Sequence, residues 1–200
     1  MKSKLILTLF IFSFTYPLFS QNAFIDSNQV AIFLNGGSLW SAKSHTLSIS
    51  DGCAIGGILD FGYQGSFVSI ESKNYYDNDK EYDAHTFIVS GILTKKRMQV
   101  SLNLAITASN ANTTTLTLGP SLAKKIQLQK SIEAVLNFST GLVFSLDDFP
   151  GKTEFALALS ADFLFGEIVY FGPGIAYSNK EFFYGLNAGV VVPFTNSKMN

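Results

Sequence analysis

The chain has 200 residues, of which 47% are hydrophobic and only 14% charged, with a mean hydropathy of +0.24 and a formal net charge of −1. That charge balance excludes a strongly basic nucleic-acid binder, and a single cysteine, Cys53, excludes an internal disulfide. Beyond residue 20 no run reaches the roughly 18 consecutive apolar residues of a spanning helix, so the hydrophobicity must be spread over shorter elements.

Residues 1–20 read as an export signal: Lys2 and Lys4 supply the positive start, Leu5 to Phe12 the apolar run, and Ser20 the small residue before Gln21. Leu18 is large for the third position before that cut, which leaves an uncleaved anchor as the lesser alternative. The apolar run, however, is far shorter than the roughly 20 residues a spanning helix needs. Cleavage removes Lys2 and Lys4 and takes the net charge to −3. Residues 21–200 then form one domain with no Pro-rich linker or low-complexity tract.

In chain order, the N-terminal third offers strands at 29–39, 53–63, 67–76 and 85–94. In the first of these, Ala31 and Phe33 compete with Val30, Ile32 and Leu34 for the apolar face, so the register stays open. If 53–76 were one strand the total would be nine, with the termini on opposite sides of a membrane. A turn at Gln64-Gly65-Ser66 restores ten, as the even-number rule for bacterial single-chain barrels requires.

The stretch 98–123 is the most informative, because it carries no charge and places apolar side chains at every second position. Met98, Val100, Leu102, Leu104 and Ile106 share one face; Gln99, Ser101, Asn103, Ala105 and Thr107 share the other. The second face lacks the Lys and Glu of a solvated sheet and suits a crowded polar lumen, which leaves lipid for the first. Further strands follow at 114–123, 132–145, 154–164, 168–177 and 182–194. Leu116, Leu118 and Leu122, then Leu136, Phe138, Leu142 and Phe144, then Phe155, Leu157, Leu159 and Phe163 are the expected lipid rows. The last strand alternates most cleanly, from Phe182 to Phe194, and inward glycines such as Gly172, Gly174, Gly185 and Gly189 suit a tightly curled wall.

The fold class expected is therefore all-β: a single antiparallel up-and-down transmembrane β-barrel of ten strands, with eight as the alternative. Connections after even strands, at 64–66, 95–97, 124–130 and 165–166, are short or basic and are assigned to the periplasm. Those after odd strands, at 40–52, 77–84, 108–113, 146–153 and 178–180, are mostly longer and face outside. Trp40, Tyr75, Tyr76, Phe149, Phe165, Tyr177, Phe182 and Phe194 fall where interface girdles belong.

The export signal, the alternating strands and the terminal strand GLNAGVVVPF together resemble the small outer-membrane β-barrels of Gram-negative bacteria, of the porin-like OmpX and OmpW type. The resemblance spans the mature chain and implies residence in the cell outer membrane, contact with its lipid, and handling by the barrel-assembly machinery. In that family the terminal aromatic, here Phe194, is the assembly signal; six residues follow it in this chain. A monomer is expected. The family includes adhesins, anchors, enzymes and pores, so the resemblance does not select an activity.

Three inward carboxylates, Asp60, Glu133 and Asp162, need partners, since a buried unpaired charge is costly. Lys95, Lys96, Arg97 and Lys130 are the expected donors, giving an ionic network that closes the lumen; the alternative is a wetted acidic constriction favouring cations. The polar segment 77–85 offers two sharper readings. Asp77, Asp79 and Glu81 present oxygens for Ca²⁺ but lack an EF-hand pattern, and Asp83 could orient His85 as a general base, with Asp147 and Asp148 as partners. Ten-stranded outer-membrane proteases use such loop residues. His45 has no metal-ligand spacing, and no cofactor or metal is expected. The expectation is a non-enzymatic surface or structural protein with at most a narrow pore. A soluble lipocalin-like carrier, with the apolar face inside, and a barrel hydrolase are the alternatives.

Overall fold

The computed structural model describes residues 29–42, 44–55, 58–70, 80–94, 98–110, 113–147, 153–166, 168–178 and 181–195; the expected export signal lies outside them. Ten strands follow one another: β1 (Gln29–Trp40), β2 (Ser44–Ile55), β3 (Leu59–Ile70), β4 (Lys80–Thr94), β5 (Gln99–Ser109), β6 (Thr113–Gln129), β7 (Ile132–Ser145), β8 (Thr153–Phe165), β9 (Val169–Ser178) and β10 (Glu181–Thr195). Each pairs antiparallel with the next, and β1 pairs with β10 from Gln29↔Thr195 to Trp40↔Tyr184, closing the barrel. Ten strands form, not eight. Their lengths suit tilted strands that cross a hydrocarbon layer.

The two faces of this wall follow from the strand period of two. Adjacent residues make the contrast plain: Phe182 is 70% exposed and Phe183 is 2% exposed. Leu102, Leu104 and Ile106 point out while Gln99, Ser101 and Thr107 are buried inside. The rows expected on β5 to β10 all lie outward. On β1 the open register resolves with Ile32 and Leu34 outside and Ala31 and Phe33 inside. A soluble calyx would require the inverse arrangement.

The N-terminal strand boundaries differ from those expected. Gln64, Gly65 and Ser66 do not form a turn; they lie mid-way along β3, where Gln64 and Ser66 face inward and their side chains hydrogen-bond at 2.9 Å. The segment expected as a loop at 40–52 contains β2, with Ser44, Thr46, Ser48 and Ser50 inside and Leu47 and Ile49 outside. The count of ten therefore stands on different elements. Turn chemistry misled at Gln64-Gly65-Ser66, because Gly and Ser also suit a crowded inner wall. Likewise Lys124 and Lys125 belong to β6, which continues to Gln129, and β4 begins within the segment assigned to a loop at 77–84.

Inside, two apolar clusters fill opposite ends. Leu39, Val68, Val143, Ala156, Ala176 and Phe183, joined by Tyr82, meet from both sides of the lumen near the odd-numbered connections. Phe33, Ala31, Ala54, Tyr170 and Val191, with Leu164, pack near the termini. Phe33 needs Gly52 opposite it, because a Cβ there would stand 2.3 Å from its ring and 2.1 Å from the Phe61 carbonyl.

Candidate functional site: the barrel interior

Between the two clusters the lumen is polar, and its side chains hydrogen-bond both across strands and along them. Asn35 donates to Ser50 at 3.1 Å, Thr86 and Thr107 hydroxyls meet at 2.9 Å, and Gln99 donates to Ser101 at 3.3 Å. Hydroxyl and amide side chains in this setting satisfy one another in place of water.

Asp162 is the most enclosed carboxylate, at 1% exposure. Its Oδ2 accepts hydrogen bonds from Asn137 Nδ2 at 2.7 Å and Ser160 Oγ at 3.2 Å, and Asn137 also reaches Ser160 at 3.1 Å. Gly172 gives the group its space: a Cβ there would stand 2.7 Å from Asp162 Oδ1 and 2.1 Å from the Ala161 carbonyl. Two neutral donors on β7 and β8 hold this oxygen. The signal for Asn137 was its inward parity opposite Ser160, which the register brings together.

Asp60 is also buried inside, toward the same end of the barrel as the termini. Glu133 faces inward and pairs with Lys125 Nζ at 2.5 Å. Lys130, expected as a donor, is exposed on the connection between β6 and β7. Lys95, Lys96 and Arg97 lie outside the described residues. Two inward carboxylates were missed, Glu154 and Glu181, each at the loop-side start of a strand, where alternation had too little length to declare itself.

The segment expected to carry base or metal chemistry is arranged otherwise. Asp83 and His85 do share one face of β4, but that face points outward. His85 Nδ1 hydrogen-bonds Tyr63 Oη at 2.6 Å, and the two rings stack. His45 Nε2 bonds Ser38 Oγ at 2.6 Å and stacks on Trp40. Asp147 accepts the Thr114 backbone N–H, while Asp77, Asp79 and Asp148 lie outside the described residues. Glu81 is exposed on β4, and among the described residues no group of three His, Cys, Asp or Glu side chains is arranged to hold a metal. Phe194 projects from the outer face of β10 opposite Val30, and the strand continues by one residue to Thr195.

No protein-family model and no curated protein matches the sequence. Among solved structures the chain is similar to LpxR from Salmonella typhimurium (8% identity, TM-score 0.47, covering 82% of this chain and 99% of that one). It is similar to the KdgM porin (6%, 0.43, 79% and 98%). A further likeness is to the N-terminal β-barrel domain of Pseudomonas aeruginosa OprF (9%, 0.36, 82% and 98%). Overlaps this low add nothing to the fold read from the strand register itself.

Proposed function

We propose that this chain is an outer-membrane β-barrel of non-enzymatic, structural or surface role, whose lumen is closed by its own side chains to a narrow path at most. The single observation carrying the reading is the sidedness of the wall: Leu, Ile and Phe rows outside, hydroxyls, amides and carboxylates inside. In water such an outer surface would be one continuous apolar patch far beyond the few hundred Å² that soluble monomers present. In lipid it is the required surface.

The closed lumen is supported by Phe183, Leu39, Val68 and Val143 meeting across the loop-side end. Barrels of this size are filled by side chains. Phe194, outward at the end of β10, is assigned the assembly signal, and outer-membrane lipid and the assembly machinery are the partners this reading implies. A hydrolytic role gains no support from His85, whose imidazole is turned to the outer wall and held by a phenol.

Two measurements test the reading. The mature chain is expected in the outer-membrane fraction, migrating faster on a gel when unheated than when boiled. In planar bilayers it is expected to give no large stepwise conductance. A mature chain freely soluble without detergent, or large steps of current, overturns it.

A further inference from the structure

The outer wall is not uniform. Among the described residues the outward faces of β5 and of β7 to β10 carry no Asp, Glu, Lys, Arg or His, whereas those of β2 and β4 carry His45, Asp51, Glu81, Asp83 and His85. Glu81, Asp83 and His45 belong to the loop-side ends, where interface polarity is ordinary. Asp51 does not. It lies within the apolar band between Leu34 of β1 and Tyr63 of β3, with Ile49 and Cys53 on either side along its own strand. It is exposed and has no hydrogen-bond or ion-pair partner among the described residues.

An ionisable side chain facing hydrocarbon is costly and marks a surface that lipid alone does not cover. Its neighbour supplies the complement. Tyr63 is paired directly with Asp51, and its Oη is held at 2.6 Å by His85 Nδ1. In the tautomer that carries its proton on Nδ1 the imidazole donates to Oη, which leaves the phenol O–H to donate outward. A carboxylate acceptor and a phenol donor thus occupy directly paired positions of adjacent strands, the phenol leaning towards His85, and such a pair of positions is self-complementary under a two-fold axis.

Close approach is possible at the same place. Gly36 interrupts the outer wall beside Leu34 and Ile49, where a Cβ would meet nothing closer than 3.9 Å, and at Gly65 the Tyr63 hydroxyl stands 4.0 Å from where a Cβ would be. Small residues with polar side chains between them are the pattern of association within membranes, where apolar surface by itself gives no drive.

We propose that the β1–β4 face is a dimer interface and that its occupant is a second copy of this chain. The axis runs between β2 and β3, so that Tyr63 donates to the partner's Asp51 and Asp51 accepts from the partner's Tyr63. This proposal departs from the monomer expected from sequence, and it rests on the reading of the outer wall as lipid-facing.

Cys53, the single cysteine, provides the probe, because it projects outward two residues from Asp51. Oxidation with copper phenanthroline of the full chain in phosphatidylcholine vesicles is expected to give a disulfide-linked dimer. Moving the sole cysteine to the far wall (Cys53→Ser with Leu142→Cys) is expected to abolish it. In density-matched micelles, Asp51→Leu and Tyr63→Phe are each expected to weaken self-association at least 10-fold while keeping heat-modifiable migration. Equal cross-linking from both cysteine positions, or a folded Asp51→Leu chain that associates like the unaltered one, overturns the dimer and leaves the barrel reading standing. A chain soluble without detergent overturns both.

Discussion

The side chains of the inner wall act less as separate contacts than as mutual substitutes for water, and Asp162 is the sharpest case. Its Oδ2 depends on Asn137 and Ser160, both neutral and both inside. Removing one partner of a buried hydrogen-bonded pair costs more than the bond contributes, because the survivor stays desolvated. Asn137→Leu is therefore expected to lower stability by about 1–3 kcal/mol in urea titrations of the refolded barrel. The double change Asn137→Leu with Asp162→Leu should recover much of that loss. Gly172 tests the same neighbourhood sterically: Gly172→Val forces a side chain against the Ala161 carbonyl. A loss of about 1–3 kcal/mol is expected from such overpacking, read from the same titrations.

At the level of the strand, sequence alone recovered β5 to β10 because Leu and Phe alternate there with small polar residues over the whole crossing length. It failed at β2 for a physical reason. The outward set of β2 includes His45 and Asp51, so two of its six outward positions do not look like a surface for lipid, and Asp51-Gly52 mimics a turn. Of the residues that concealed the strand, Asp51 is the one the proposed dimer interface uses. The lumen site was legible in its inward carboxylates and illegible in their partners, since Asn137 and Lys125 are brought to Asp162 and Glu133 by register and not by sequence distance. The corrected boundaries give an insertion test. A five-residue Gly/Ser insertion after Gly65 should prevent recovery of heat-modifiable migration, because it breaks β3. The same insertion after Asp147, in the connection that follows β7, should be tolerated.

For the molecule as a whole, the loop-side cluster is the expected constriction of the lumen. Phe183→Ala with Leu39→Ala empties that end and is expected to raise single-channel conductance in planar bilayers above that of the unaltered chain. An unchanged current would place the constriction at the Phe33 and Tyr170 end. The up-and-down order makes a second global prediction. Because Gln29 pairs with Thr195, joining the ends and reopening the chain within 146–152 should yield a permuted protein that still migrates as a folded barrel.

The pairing of β1 with β10 also governs when this protein can exist at all. Every other strand contact joins neighbours in the chain, whereas this one brings together the first and last strands and must await the final residues of β10. Such a distant contact carries the largest loop-closure entropy in the fold and slows its completion. Until that zip is fastened, Leu and Phe rows and two raw sheet margins travel unprotected through water. A partner that covers those rows and margins until the two ends meet is therefore expected to raise the yield of closed barrel from dilute aqueous solution.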